Sequence, residues 1–192
     1  LLAARAGIVE MGLAPEAALA VKDNLEKSGN PYGESTAGAP TWTRAAPAPG
    51  SADVLFFAGC TTIYRRPEMG CAAVASLEAA GAWVATLGDE PCCGEPLYTL
   101  GFQADARAQA ERTLAQIRAT GARTVVCSCP SCVLSFRNHY PAWGVAVPPE
   151  LRFVHLSEDL AEALARRAIA FNSAQPMRVT YHDPCGLGRE LG

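Results

Sequence analysis

The sequence predicts an α/β fold: a mainly parallel sheet flanked by helices in Rossmann-like layering, preceded by a helical N-terminal linker. Three observations predict it. From Asp53 onward, short apolar runs of strand length alternate with longer stretches of helical period. Gly81 and Gly121 close helical stretches just before apolar runs begin. Cysteines follow the ends of the apolar runs, where an open parallel sheet builds its sites.

Taken in order, residues 1–28 read as helical. Apolar positions from Leu13 to Leu25 recur on a helical period, Pro15 suits a helix start, and Ser28-Gly29-Asn30-Pro31 stops it. Residues 33–52 read as a linker rich in Gly, Ser, Thr, Ala and Pro, including Pro40, Pro47 and Pro49. Residues 53–58 form a short apolar run, the first strand. Residues 68–80 read as a helix, and 83–87 as the second strand. Residues 102–120 form a helix with Ala106, Ala110, Leu114 and Ile117 on one face. Residues 123–127 are the third strand, 131–139 a short helix and 151–155 the fourth strand. Ser157 is the expected cap of a helix reaching about residue 170, with Leu160, Leu164, Ala168 and Ile169 inside. Residues 178–182 start a fifth strand that echoes the first, because Cys185 follows it closely.

Composition narrows the function. With 49% apolar residues, the 192-residue chain supports a sizeable core. A net charge of −3 without basic blocks argues against nucleic acid or an anionic membrane surface as partner. No apolar run reaches the length of a membrane span. The Ala-rich start carries Arg5, Glu10 and Glu16, unlike a signal-peptide core. A chain starting at Leu1 and stopping at Gly192, within a promising motif, reads as a piece of a longer protein.

Eight cysteines require an explanation. A secreted disulfide framework is disfavoured: there is no export signal, the apolar content needs no staples, and the thiols cluster locally. A reducing, cytoplasmic compartment follows. Cys60 follows the first strand, Cys92 and Cys93 the second, and Cys129 and Cys132 the third. The carboxyl ends of parallel strands share one edge, so these thiols should converge there. Thiolates are soft ligands that suit iron–sulfur clusters and zinc. Gly94 lets the backbone turn tightly beside a bulky group, and Pro91 and Pro130 stiffen the approach to their cysteines.

The order is Cys60, thirty-one residues, Cys92-Cys93-Gly94, thirty-four residues, then Cys129-x-x-Cys132. It closely resembles the cysteine-rich CCG domain of heterodisulfide reductases. The same domain occurs in iron–sulfur subunits of glycolate and lactate oxidation and of anaerobic glycerol-3-phosphate dehydrogenase. The resemblance implies a cluster held by Cys60, Cys92, Cys93, Cys129 and Cys132. A four-iron cluster is implied, cubane or non-cubane, and one readily lost on handling in air. The implied role is electron transfer within a larger oxidoreductase, with a flavoprotein dehydrogenase or a ferredoxin-type subunit or domain as partner. A partner would also provide a route to a membrane quinone at the inner face of the membrane. Three parts are expected: a helical segment and flexible linker over 1–52, the cysteine-rich domain over 53–175, and the start of a second such domain over 176–192.

Two other readings stay open: a structural zinc or thiol module that docks a partner, and a metal-free thiol–disulfide switch built on Cys129-Pro-Ser-Cys132. Zinc takes four ligands and leaves one motif cysteine over, and the switch leaves the upstream thiols unexplained. Outside the motif, Cys71 and Cys127 are expected as core residues and Cys185 as a free thiol. His139 and His155 read as surface or capping residues, His182-Asp183 as part of a turn, and Asp89 and Glu90 as a solvated loop. Arg65-Arg66 is a small basic spot near Cys60.

Overall fold

The structure, a computed structural model, describes residues 1–35, 52–171, 176–183 and 185–191. The N-terminal stretch forms two helices, α1 (Leu2–Glu10) and α2 (Glu16–Ser28), where the sequence suggests one helical segment. Pro15 lies extended as the N-cap of α2, and it cannot donate into a preceding turn. Gly29 ends α2 in the left-handed conformation, with its N–H on the Leu25 carbonyl. Ala18 and Leu25 of α2 pack into the main core. Most of the expected linker over 33–52 lies outside the described residues.

Among the described residues the sheet has four parallel strands: β1 (Val54–Phe57), β2 (Val84–Thr86), β3 (Thr124–Cys127) and β4 (Arg152–His155), in the order β2-β1-β3-β4. Helices α3 (Cys60–Arg65) and α4 (Pro67–Ala79) join β1 to β2. Helices α5 (Glu95–Leu100) and α6 (Gln103–Ala119) join β2 to β3. A helical run then leads toward β4: α7 (Pro130–Leu134), a wider π turn (Ser135–His139) and α8 (Tyr140–Ala142). Pro141 accounts for the widening, because it offers no N–H to the Arg137 carbonyl and its ring crowds that group. Helix α9 (Leu156–Ala165) follows β4 directly.

Alternation along the strands sorts the core into two layers. Leu55, Phe57, Val125, Cys127 and Phe153 face the layer that holds α5 and α6, with Ala106, Ala110, Leu114 and Ile117 buried there as expected. Val54, Phe56, Val84, Val126 and Val154 face the other layer, against Val74 and Leu77 of α4. The strands stay in phase, so Phe57, Cys127 and His155 lie level at the carboxyl edge.

Four expectations need correction. Helix α9 is capped by His155, two residues before Ser157; the ring accepts the Ser157 N–H at 3.3 Å. It stops at Ala165 because Arg167 turns left-handed (φ 61°) and the Ala168 N–H folds back on the Ala163 carbonyl at 2.9 Å, which leaves Ala168 exposed. Residues 178–182 are exposed and join no ladder among the described residues, so they are not a strand here. Cys71 is exposed on α4 and not in the core, whereas Cys127 is fully buried. Among the described residues, no helix is long and apolar enough to cross a membrane.

Candidate metal centre

Each motif cysteine sits just beyond a strand end. Cys60 opens α3 after β1, Cys92 and Cys93 lie between β2 and α5, Cys129 is the N-cap of α7 after β3, and Cys132 lies within α7. Cys92, Cys93 and Cys132 are buried, and Cys60 and Cys129 are half-buried. The five sulfurs form one string. The Cys92 thiol meets those of Cys60 and Cys93. Cys132 Sγ lies 3.5 Å from Cys93 Sγ. Cys129 in turn meets Cys132.

The contacts give the sulfurs unequal acidities. The Cys132 and Cys92 thiols donate to Cys93 and hold it well below the usual thiol range, against the effect of burial. The Cys132 thiol, with the backbone N–H groups of Cys132 and Ser131, brings Cys129 down to about 7. The donors move the other way. Contacts with Cys60 and Cys93 raise Cys92, contacts with Cys129 and Cys93 raise Cys132, and burial adds to both. Cys127 is pushed up by burial, as a core thiol should be.

Buried polar groups pin the backbone around the cysteine pair. Gln109 Nε2 and Thr113 Oγ1 donate to the Cys92 carbonyl at 3.0 and 2.8 Å. Tyr140 Oη donates to the Cys93 carbonyl at 2.9 Å. Gly94 takes φ +90°, and a Cβ there would lie 3.2 Å from the Ala106 carbonyl oxygen. Its N–H points at Cys92 Sγ at 3.5 Å. Gly59 takes φ +80°, and a Cβ there would meet Cys132 Sγ at 3.3 Å.

Glu90 is not in a solvated loop. Its carboxylate accepts the backbone N–H groups of Ala58 and Gly59 at 2.8 and 2.6 Å. Burial raises it to about 8, while those two N–H groups pull the other way. Glu95, Ser135 and His139 form a second network. Glu95 Oε2 accepts from Ser135 Oγ and pairs with His139 Nδ1, both at 2.7 Å. His139 also packs on Tyr98 and Trp143. It is a half-buried member of the site's wall and not a surface residue, and Glu95 raises its pKa above the usual imidazole value. His155 does cap, and its Nε2 lies 3.1 Å from the Ser128 carbonyl.

The upstream segment reaches the site as well. The Cys92 N–H bonds the Gly29 carbonyl at 3.3 Å. Arg65 is not a free cation: it pairs with Glu34 and stacks over Tyr32 at 4.1 Å. Downstream, Cys185 is exposed in the π-helical segment Cys185–Glu190. A Cβ on Gly186 would lie 3.7 Å from Pro130 Cβ. The exposed His182 and Asp183 lie in irregular chain.

Sequence reasoning missed Glu90, the Glu95–Ser135–His139 network and the two carbonyl clamps. A signal existed for one clamp: Gln109 and Thr113 are polar residues on the otherwise apolar stripe of α6. Among the described residues, no group of three His, Cys, Asp or Glu is arranged to hold a single metal ion. The thiols are instead neighbours in a chain of pairs, and an all-thiolate donor set is the kind that iron–sulfur clusters take. Backbone N–H groups reach three of the sulfurs, from Gly94 to Cys92, from Glu95 to Cys93 and from Ser131 and Cys132 to Cys129, and supply the hydrogen bonds that thiolate ligands need. The donor set therefore fits a thiolate-bound cluster.

Fold and site together define a class: a parallel α/β layer whose carboxyl edge gathers cysteines from successive strands. Residues 54–137 match the family model described as CCG, cysteine-rich domain, and this part of the chain belongs to that family. One relative, from the dihydromethanophenazine:CoB–CoM heterodisulfide reductase of Methanosarcina mazei, is a subunit 34% identical over 73% of this chain and 35% of its own length. Another, a subunit of the anaerobic glycerol-3-phosphate dehydrogenase of Escherichia coli, is 32% identical over 70% of this chain and 35% of its own. An uncharacterized iron-sulfur protein of Methanocaldococcus jannaschii is 29% identical over 71% of this chain and 26% of its own. The chain thus spans about a quarter to a third of the length of the curated relatives it matches. No solved structure matches it.

Proposed function

We propose that Cys60, Cys92, Cys93, Cys129 and Cys132 hold a four-iron iron–sulfur cluster, and that the chain passes electrons within a larger oxidoreductase. The observation that carries this reading is the continuous string of five sulfurs at the carboxyl edge of the sheet. When bound, the cluster supplies reversible one-electron chemistry. The protein's own residues do the rest. Neighbouring donors lower the pKa of Cys93 and Cys129, which favours their ligand form, Glu90 fixes the approach to Cys60, and Tyr140, Gln109 and Thr113 fix the cysteine pair. The buried sulfurs of Cys92, Cys93 and Cys132 are shielded from water.

The relatives named as subunits of reductases and dehydrogenases support a partner subunit, read here as a flavoprotein dehydrogenase or a ferredoxin-type subunit or domain. A cytoplasmic setting fits the free thiols, with a partner making any link to a membrane quinone. Residues 53–175 are read as one cysteine-rich domain and 176–192 as the start of a second, on the strength of Cys185.

The test is iron, acid-labile sulfide and zinc per chain in anaerobically prepared protein, alongside Cys93→Ser. About four irons with matching sulfide, sharply reduced in the variant, is the expected result. One zinc without iron establishes the structural module. Normal iron in the variant removes Cys93 from the ligand set.

A further inference from the structure

Asn30 lies just beyond α2, in the stretch that the sequence suggests only as a helix stop, yet its side chain is 1% exposed. Its Nδ2 donates to the carbonyls of Ser28 and Glu34 at 2.9 and 2.7 Å, and its Oδ1 accepts the N–H groups of Tyr32 and Glu34 at 3.0 and 3.3 Å. One buried side chain thus ties residues 28–34 into a knot, and a buried polar group with its hydrogen bonds met specifies one shape. Asn24 of α2 fastens the knot to the helix: its Nδ2 donates to the Pro31 carbonyl at 3.1 Å. Gly33, at φ +69°, passes so close that a Cβ there would lie 2.6 Å from Asn24 Oδ1. The knot grips two of the ligand-bearing elements. At one end the Gly29 carbonyl accepts the N–H of Cys92 itself at 3.3 Å. At the other, Tyr32 Oη lies 3.1 Å from the hydroxyl of Thr61, the residue after Cys60 on α3. Arg65, one turn further along α3, stacks over the Tyr32 ring at 4.1 Å and pairs with Glu34. All of this lies upstream of residue 54, where the matched cysteine-rich domain starts, except the two α3 side chains that the knot holds.

We propose that residues 28–34 are a brace that holds the Cys60 helix and the Cys92 loop at a fixed separation, so that the metal centre includes a part of the chain upstream of the cysteine-rich domain. Asn30 and Arg65 are its positioning residues: Asn30 sets the shape of the brace, and Arg65 fastens it to α3. The proposal rests on Cys60 and Cys92 being ligands. The two ends differ in strength. The arm on Cys92 is a main-chain bond, whereas the Arg65–Glu34 pair and the Tyr32–Thr61 contact are exposed. Salt screens an exposed ion pair, so the arm on α3 is the one that loosens as salt rises.

The experiment follows alkylation of each thiol by N-ethylmaleimide, resolved site by site by peptide mass mapping, in the full chain kept anaerobic and metal-free. Exposed Cys71 gives the rate of a freely reachable thiol, and fully buried Cys127 reports general unfolding. Asn30→Ala should speed labelling of Cys60 and Cys92 by about tenfold and leave Cys71 and Cys127 unchanged. Arg65→Ala should speed Cys60 alone, by a smaller factor. Arg65→Lys should recover part of that change, because it keeps the charge that faces Glu34. Raising the salt should speed Cys60 in the wild type and not in Arg65→Ala. Wild-type rates at Cys60 and Cys92 in Asn30→Ala overturn the brace. A matching rise at Cys127 overturns it as well, since Asn30 then supports the fold as a whole and not the two thiols. A second arm reads iron and sulfide per chain after anaerobic reconstitution and challenge with a chelator, where Asn30→Ala should retain less than wild type. Full retention in that variant despite faster labelling removes the brace from the metal centre. If the wild type itself takes up no iron, the cluster reading fails, and the labelling still decides whether the brace positions the two thiols.

Discussion

The carboxylate of Glu90 accepts the backbone N–H of Gly59 at 2.6 Å and so ties the loop before Cys92 to the loop before Cys60. The second oxygen takes the Ala58 N–H at 2.8 Å. Two candidate ligand loops, from different strands, are thereby held at one spacing by a single side chain. Ser128 adds a third loop, since its hydroxyl donates to the Ala58 carbonyl at 2.8 Å.

Removing that carboxylate leaves two buried N–H groups without partners. Glu90→Ala should destabilise the fold by roughly 1–3 kcal/mol for each N–H left unpaired and lower metal loading. Glu90→Gln keeps one acceptor oxygen and should recover part of both losses. Chemical denaturation and metal stoichiometry measure the two effects; wild-type values in Glu90→Ala would show the clamp to be idle.

Tyr140→Phe keeps the ring packed against Phe136 and Trp143 but strips the donor from the Cys93 carbonyl. A buried acceptor is left unsatisfied, and the expected loss is about 1–3 kcal/mol. Urea unfolding of the two proteins side by side checks it.

Gly59→Ala meets two obstacles at once. The residue would have to hold φ +80°, and its Cβ would press on Cys132 Sγ at 3.3 Å. Left-handed backbone alone costs an L-residue about 1–2 kcal/mol. The variant should melt lower than wild type and bind less metal, and an unshifted melting temperature would count against the close approach.

His155 supplies the pH prediction. Burial lowers its pKa below the usual imidazole value, although the bond to the Ser128 carbonyl opposes this. A folded pKa below the unfolded one means stability that is present above the unfolded value, near 6.5, and lost as pH falls through the folded value. Protonation also puts a hydrogen on the Nδ1 that accepts the Ser157 N–H, so the cap of α9 goes with it. His155→Asn retains a capping oxygen without titrating. Wild type should lose stability from pH 7 toward pH 5 more steeply than the variant, as read by thermal melts across that range; parallel curves would assign the titration elsewhere.

The sheet was legible because each strand is a short apolar run, and buried parallel strands are read from continuity alone. Helix α6 was legible from the period of Ala106, Ala110, Leu114 and Ile117. Helix α3 was not: Thr61, Thr62 and Ile63 are β-branched, and six residues carry too little pattern to outweigh that preference. Residues 178–182 failed in the opposite sense. Val179 and Tyr181 alternate as a strand should, but a strand needs a neighbour, and local pattern does not supply one. The convergence of the five cysteines followed from topology, since parallel strands share an edge. Glu90 could not be found that way. An acidic residue in a loop looks the same in sequence whether water or two amides thirty-odd residues away receive it.

One layer of the core takes in Cys92, Cys93 and Cys132, and the other holds none of the motif cysteines, which bears on how the fold relates to a bound cofactor. Leu55, Phe57 and Val125 are buried in one layer and Leu77 and Val126 in the other, each among apolar side chains. Small zinc modules fold only when their metal arrives, because metal stands in for a core. Here the thiols are presented by a scaffold with an apolar core on both faces of its sheet, which leaves a bound cofactor as an addition to that core. Its contribution to stability is then set by mass action, growing with the concentration and affinity of what is delivered.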